Sequence, residues 1–187
     1  MSSKIIFEIP HQMKIDVWEY TAINNIGNRG TFDGSREQQF VGLIGELIVK
    51  QFFGLPPVLP NVNGFDGGFD IELSTGEKFD VKTMTRNVSM KPHYEHNIVA
   101  SQMTYDVDFY VFCSLNKRAN ELEVNGYLPK IVFLHKATKR HHGDIVERDN
   151  GTSFELQSDS YTIENRHLHD AAVLENIVYT SIKYHYQ

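Results

Sequence analysis

The chain has a single cysteine, Cys113, among its 187 residues. One thiol excludes disulfide bonds within the chain and zinc sites built from several cysteines. Cys113 lies in the apolar stretch DFYVFCSL, where we interpret it as a buried structural thiol. Basic residues are also fewer than acidic ones, 18 against 24, so the net charge is −6. This balance excludes a protein whose whole surface attracts nucleic acid, and any such contact must use a local basic patch.

Long apolar runs and flexible linkers are absent as well. No run reaches the roughly 18 apolar residues that a membrane helix needs, and the first residues have too short an apolar core for a secretory signal. We therefore expect a cytoplasmic protein with no membrane partner. Glycine, serine and proline nowhere cluster into a linker. These features predict one domain over residues 1–187, with a core at about 35–136, an N-terminal arm at 1–34 and a C-terminal elaboration at 137–187.

Residues 35–54, SREQQFVGLIGELIVKQFFG, give the clearest helix signal. Ser35 and Gln38 match the S-x-x-Q capping box, and Gly54 followed by prolines ends the segment. We also predict strands at KIIFEI, DFYVFCSL, GYLPKIVFLHK, SFELQ and SYTIEN, a helix of about two turns at NIVASQMTY, and a polar loop at RNVSMKPHYEHN. The order of these elements predicts an α/β fold in which helices flank a mixed central β-sheet.

The stretch GFDIELSTGEKFDVKTM predicts two short β-strands on either side of a turn. Charged residues alternate with apolar residues in both strands. A three-residue loop at 74–76, with its glycine in the left-handed conformation, would pair Leu73 with Glu77 and set Asp70 directly opposite Asp80. Paired residues have Cβ atoms about 4.5–5.5 Å apart, close enough for two carboxylates to hold one divalent ion. A two-residue loop would instead put the aspartates on opposite faces of the hairpin.

Two aspartates that face each other repel, so this hairpin needs something that offsets the repulsion. A Mg²⁺ or Mn²⁺ ion held between the carboxylates would do so. Alternatively, Lys78 and Lys82 neutralise the acids on a solvated face of the hairpin. The hairpin alone leaves both interpretations open.

The predicted helix adds a third carboxylate, Glu46, on a stripe that it shares with Gly42, Val49 and Phe53. These neighbours favour burial, and Gly42 and Gly45 would allow another backbone to approach closely. A buried carboxylate without a partner costs several kcal/mol. Glu46 is therefore either part of the same site or a member of a structural ion pair at the rim of the helix.

In this combination the sequence resembles the PD-(D/E)XK nuclease superfamily, which has the restriction-endonuclease-like fold. The pattern D-x(9)-D-x-K alone is weak, but its occurrence on a hairpin of suitable register after a glutamate in an apolar helix is much rarer. The similarity covers about residues 35–115 and departs from the motif's name in having Phe69 where proline stands. The matching residues are Gly45 and Glu46 in the helix, Asp70 in GFDIEL, and Asp80, Val81 and Lys82 in the second β-run.

The resemblance implies a metal-dependent phosphodiesterase that acts on DNA and uses no organic cofactor. Asp70 and Asp80 would bind Mg²⁺, for which Mn²⁺ would substitute, and Glu46 would complete the carboxylate shell directly or through water. The carbonyl of Val81 would be a further ligand, and Lys82 would orient or deprotonate the attacking water. These roles agree with the preference of hard divalent ions for oxygen ligands and with their effect on bound water.

Basic and polar residues beyond the hairpin are the predicted contacts with the DNA backbone. Arg86 and Lys91 follow the Lys82 strand, where a loop would emerge close to the metal. Gln102 lies on the next short helix, whose equivalent in this family often faces the site. Lys139 and Arg140 belong to KATKRHH, the densest basic run in the chain. Each of these groups also has an ordinary alternative as a solvated surface residue.

Several functions remain open at the level of sequence. A homodimer would supply the two cuts that duplex cleavage needs, since one chain carries one apparent site. A structure-specific junction or RNA nuclease would use the same chemistry, and the sequence does not identify its target. A non-catalytic nucleic-acid-binding protein on the nuclease fold is the main alternative, although such a protein would be expected to lose a ligand or the lysine. An unrelated α/β interaction protein with an exposed hairpin is the third.

Overall fold

The computed structural model describes residues 5–26, 34–60, 68–147, 149, 151–174 and 177. The helices are α1 (His11–Ile23), α2 (Arg36–Phe52) and α3 (Lys130–Lys136), with two short 3₁₀ helices at Ala100–Thr104 and Asn165–His167. The strands are β1 (Ile5–Glu8), β2 (Ile71–Glu72), β3 (Lys78–Arg86), β4 (Glu95–Val99), β5 (Phe109–Asn116), β6 (Glu121–Pro129), β7 (Thr138–Arg140), β8 (Ile145–Glu147), β9 (Ser153–Glu155) and β10 (Ser160–Glu164).

The central sheet has five strands in the order β1-β6-β5-β3-β2. Strands β3 and β5 are parallel, and the other neighbouring pairs are antiparallel, so the sheet is mixed. A second sheet has the order β4-β10-β7, and β8 pairs with β9 in a separate hairpin. The predicted α/β class with a mixed central sheet is therefore confirmed.

Helix α2 begins and ends as its sequence predicts. The Ser35 hydroxyl accepts a hydrogen bond from the Gln38 N–H, and the Gln38 side chain accepts one from the Ser35 N–H at 2.7 Å, which completes the capping box. Gly54 follows the last turn with φ of +70°, a conformation that a glycine adopts without strain. The helix therefore has a fixed start and end, and its position along the sheet is defined.

Both faces of the central sheet are covered. One face packs against α1 and α2 through a core that includes Ile44, Ile48, Phe79, Val81 and Val111. The opposite face packs against α3 and the second sheet through a smaller core. The buried members of this second core are Ile98, Val107, Tyr110, Phe112, Leu128, Phe133 and Ile163. Because both faces are covered, a charged side chain in the middle of β3 or β5 lies inside the protein.

Two predicted elements are wrong in part. The predicted strand GYLPKIVFLHK ends at Pro129, and Lys130–Lys136 forms α3, in which Ile131 is 76% exposed while Phe133 is buried. The predicted helix NIVASQMTY starts with the end of β4, and only Ala100–Thr104 is helical. Strand β4 forms because β10 pairs with it from about sixty residues further along the chain, a contact that local sequence does not reveal.

Segments outside the predicted core region also join the fold. Strand β1 pairs with β6 at the edge of the central sheet, and α1, for which the sequence predicted no element, packs against α2. Strands β7 and β10 of the C-terminal part complete the sheet that β4 begins. In the part of the chain that the structure describes, no helix is both long and apolar enough to cross a membrane.

Candidate metal and catalytic site

The hairpin formed by β2 and β3 has the predicted register. Ile71 pairs with Phe79 and Glu72 with Lys78, and the Leu73 N–H donates to the Glu77 carbonyl at 3.0 Å. Gly76 has φ of +97°, as the three-residue loop requires. The ladder ends at the pair of Ile71 and Phe79 and does not extend to the predicted pair of Asp70 and Asp80. The chain bends at Asp70, whose N–H donates to the Phe79 carbonyl at 2.9 Å.

Asp80 is buried, with 4% of its surface exposed. The Lys82 ammonium lies 2.7 Å from Asp80 Oδ2, and the Lys82 side chain is only 16% exposed. This contact is a charge pair without hydrogen-bond geometry, because Asp80 Oδ2 has no hydrogen-bond partner among the described residues. Lys78 instead pairs with Asp106. The face that carries Asp80 is therefore not the solvated face of the alternative interpretation, although Lys82 does neutralise Asp80.

Asp70 experiences the negative charge of both other carboxylates. Burial, followed by the charges of Glu46 and Asp80, raises the pKa of Asp70 well above its ordinary value. The Lys82 ammonium and a hydrogen bond from the Val81 N–H to Asp70 Oδ2, at 2.6 Å, act in the opposite direction. The causes that disfavour the ionised carboxyl, burial first among them, therefore outweigh the two that favour it.

Glu46 lies in α2, which packs on the face of the sheet opposite to Asp80 and Tyr110, and its charge acts on Asp70. A Cβ atom added to Gly45 would fall 1.8 Å from Thr83 Oγ1, so only glycine permits this approach. The approach at Gly45 is that of a side chain and not of the predicted backbone, and Gly42 has no neighbouring atom within 4 Å of the equivalent position. The charge of Glu46 also raises the pKa of the Tyr20 phenol, after burial as the larger cause.

The donor set fits a divalent cation in chemistry but does not form a complete ligand shell. Within the described ranges, no group of three or more His, Cys, Asp or Glu side chains could hold a metal ion. Two observations nevertheless favour a cation beside the hairpin: Asp80 has a buried oxygen without a hydrogen bond, and Asp70 has a raised pKa. Carboxylate oxygens of this kind suit Mg²⁺, which keeps several waters and uses one or two protein carboxylates.

Of the predicted DNA contacts, Arg86 and Lys91 already have protein partners. Arg86 ends β3 rather than lying in a loop, and its Nη2 donates to the Glu95 carbonyl at 2.5 Å. Its guanidinium lies 5.3 Å from the centre of the Tyr94 ring, and burial lowers its pKa. Lys91 is exposed and forms an ion pair with Asp149 at 3.1 Å.

The other predicted contacts lie in different places. Gln102 is 7% exposed in the first 3₁₀ helix, so the alternative of an ordinary exposed glutamine is wrong. Lys139 and Arg140 belong to β7 in the second sheet, in a different layer from the carboxylates. Lys139 is exposed, whereas Arg140 lies 3.4 Å from the Glu95 carboxylate. The structure therefore brings the hairpin residues together but does not join all the predicted DNA contacts to them.

Tyr110 is a neighbour of the site that the sequence assigned only to the core. It pairs with Asp80 across the parallel strands β3 and β5, and its side chain is fully buried. The charge of Asp80 adds to burial in raising the pKa of the Tyr110 phenol. No local pattern signals this pairing, because the register between β3 and β5 depends on tertiary structure.

No family model, no curated protein and no solved structure matches this chain. The resemblance to the PD-(D/E)XK nucleases therefore stays a prediction that depends on the motif residues. Its best physical support is the hairpin, because the Val81 N–H holds the Asp70 carboxylate beside the strand that carries Asp80 and Lys82.

Proposed function

We propose that the protein is a metal-dependent endonuclease that hydrolyses phosphodiester bonds in DNA, on a restriction-endonuclease-like fold. The observation that carries the proposal is the buried contact between the Lys82 ammonium and Asp80, beside Asp70, whose Oδ2 accepts a hydrogen bond from the Val81 N–H. A buried carboxylate lowers stability unless its charge is well compensated. Strongly perturbed carboxyl groups are concentrated at functional sites, so this arrangement favours a functional role.

Asp70 and Asp80 would hold the Mg²⁺ ion, or Mn²⁺ in its place. Glu46 would act through a bound water or directly, since its charge already influences Asp70. The Val81 carbonyl is the remaining proposed ligand, and the Val81 N–H holds Asp70 in position. A bound ion of this type supplies an activated water and neutralises the charge that develops on the phosphate.

Lys82 has two successive roles in this proposal. It neutralises Asp80 in the structure. With a divalent ion bound, Lys82 would orient the attacking water as the ammonium, or accept the proton of that water as the neutral amine. The 2.7 Å contact between Lys82 and Asp80 keeps the lysine beside this proposed ligand.

Substrate binding would depend on charged residues around the hairpin. Lys91 and Lys139 are exposed and would contact phosphates. Arg86, Gln102 and Arg140 are more buried, so each would contact the substrate only through its exposed part. A homodimer would supply the second cut in duplex DNA. We place this activity in the cytoplasm.

Cleavage of DNA tests the proposal directly. Supercoiled plasmid, linear duplex and branched DNA would be incubated with Mg²⁺, Mn²⁺ or EDTA, with the wild type and with Asp80→Asn and Lys82→Ala. Lys78→Ala is the matched control, because Lys78 lies on the same strand but pairs with Asp106. We expect cleavage that needs the metal, survives Lys78→Ala and is lost in the other two variants. Cleavage that persists in both site variants would exclude this site.

A non-catalytic nucleic-acid-binding protein is the second candidate. It is favoured by the absence of a three-ligand group among the described residues and by the charge pair between Lys82 and Asp80. Fluorescence anisotropy with labelled duplex and branched DNA distinguishes the two. Binding that is equal in EDTA and Mg²⁺, with no cleavage in any metal, would support this second function.

A further inference from the structure

Tyr110 has a position next to Asp80 that its role as a core residue does not explain. The two residues are direct partners in the parallel pair of β3 and β5, so their side chains leave the sheet on the same face. Both side chains are buried, and Tyr110 has no exposed surface. A phenylalanine would fill this place equally well, yet the chain has a hydroxyl group beside a carboxylate.

Both residues have a polar atom whose hydrogen-bonding capacity is not used. Among the described residues, neither Asp80 Oδ2 nor the Tyr110 hydroxyl has a hydrogen-bond partner. Leaving a buried polar atom in this state costs about 1–3 kcal/mol, and such atoms are few in native proteins. Asp80 Oδ2 already has the Lys82 ammonium as a charge partner, so the group without any partner is the Tyr110 hydroxyl, a donor on the residue paired with an acceptor.

The Tyr110 ring is held by aromatic contacts. It lies edge-on to Phe133, with ring centres 5.1 Å apart, and its centre is 6.3 Å from that of Phe112. The position of the hydroxyl is therefore fixed by the core. A phenol has an ordinary pKa of about 10, so the Tyr110 hydroxyl is a donor at neutral pH.

We propose that Tyr110 is a positioning residue, whose hydroxyl donates a hydrogen bond to the Asp80 carboxylate once Lys82 is released and so holds Asp80 in its metal-binding orientation. This inference rests on the proposed function. Outer hydrogen-bond partners of this kind orient the ligands of many metal sites, and their loss typically weakens metal binding by about 10–100-fold. Lys82 would thus contact the Asp80 carboxylate in the absence of metal, and Tyr110 would contact it when the metal is bound.

The test compares Tyr110→Phe with Tyr127→Phe, which removes a hydroxyl from another buried tyrosine in the neighbouring strand β6. Mn²⁺ affinity is measured by electron paramagnetic resonance, and stability by urea unfolding in EDTA. We expect Tyr110→Phe to weaken Mn²⁺ binding by about tenfold, without any loss of stability. In DNA cleavage it should lower kcat and leave KM for DNA unchanged. Tyr127→Phe should bind Mn²⁺ as the wild type does.

The outcomes separate this inference from the proposed function. If the wild type binds Mn²⁺ and Tyr110→Phe binds it equally well, Tyr110 is only a core residue and the inference is wrong, while the proposed function stands. If the wild type binds no Mn²⁺, the proposed function fails and the inference fails with it. A loss of stability in Tyr110→Phe together with unchanged Mn²⁺ affinity would also assign the hydroxyl a structural role.

Discussion

Gly45 of α2 and Thr83 of β3 are in such close contact that a Cβ atom on the glycine would lie 1.8 Å from Thr83 Oγ1. This contact sets the distance between the helix and the sheet. Because Glu46 follows Gly45 directly, the same contact brings its charge near enough to influence Asp70. Gly45, which the packing of α2 on β3 requires, and Glu46, which has a proposed functional role, are therefore adjacent residues of α2.

The first prediction follows from this contact. Gly45→Ala should lower the free energy of unfolding by about 1–3 kcal/mol, since the helix must move away from β3 to accommodate the methyl group. Gly42→Ala is the matched control, because the open space at Gly42 should let the better helix former raise stability by about 0.5–1 kcal/mol. Urea unfolding measures both, and equal effects of the two substitutions would contradict the proposed packing. Thr83→Ala in the Gly45→Ala background should recover part of the loss.

The second prediction concerns the cost of charge at Asp70. Its pKa is raised in the fold, so ionisation of the carboxyl opposes folding, and stability falls as pH rises from the unfolded pKa to the folded one. Asp70→Asn should therefore raise the free energy of unfolding at neutral pH in EDTA. Asp106→Asn is the control and should give no gain, since its ion pair with Lys78 lowers the pKa of Asp106. If Asp70→Asn is less stable than the wild type, the surroundings of Asp70 compensate its negative charge, and the prediction is wrong.

The third prediction separates metal binding from cleavage at Lys82. The ammonium competes with a divalent ion for Asp80, so Lys82→Ala should bind Mn²⁺ several-fold more tightly than the wild type. The same variant should cleave DNA at least about 100-fold more slowly, because it lacks the group that assists the water. Calorimetric titration and plasmid cleavage give the two readouts, with Lys78→Ala unchanged in both. Weaker Mn²⁺ binding in Lys82→Ala would contradict the competition.

Local sequence predicts the parts of the fold that depend on interactions between residues close together in the chain. The start of α2 follows from the capping pattern of Ser35 and Gln38, and the hairpin register follows from the conformation of Gly76. The presence of Asp70 at one end of this hairpin and of Asp80 in its second strand was predictable for the same reason. The burial of Asp80 was not, because it comes from α3 and the second sheet, which cover that face of the central sheet.

The sequence predictions were wrong where the structure of a segment depends on contacts with residues far away in the chain. Strand β4 is stabilised by β10, and the helix α3 follows directly after Pro129, which ends the strand that the apolar run was expected to continue. Tyr110 was assigned to the core because apolar neighbours surround it in sequence. Its pairing with Asp80 requires the parallel register of β3 and β5, to which no short-range signal contributes.

A buried histidine, His96 of β4, links the two sheets through polar contacts. Its Nε2 lies 3.0 Å from Asn165 Oδ1, and its side chain also interacts with Asn125 of β6. Burial first, and the charge of Arg86 second, lower the pKa of His96 to about 3, while the two asparagines oppose the shift. The imidazole is therefore neutral in the folded protein at neutral pH.

The fourth prediction is loss of stability in acid through His96. Its folded pKa lies below the unfolded value, so the unfolded chain takes up a proton first as pH falls from about 6.5 toward 3. The free energy of unfolding should drop by about 2 kcal/mol between pH 6.5 and 5 from this residue alone. His96→Gln should remove this part of the pH dependence, and the exposed control His135→Gln should not. The same pH dependence in wild type and His96→Gln would contradict the assignment.

The central claim is that Asp70 and Asp80 jointly hold one divalent ion, and a Mn²⁺ titration followed by electron paramagnetic resonance tests it most directly. The wild type, Asp70→Asn, Asp80→Asn and the control Asp106→Asn would be titrated under identical conditions. The account predicts one saturable site in the wild type and in Asp106→Asn, with affinity at least about tenfold weaker in each of the other two variants. No saturable binding by the wild type, or equal affinity in all four proteins, would contradict it.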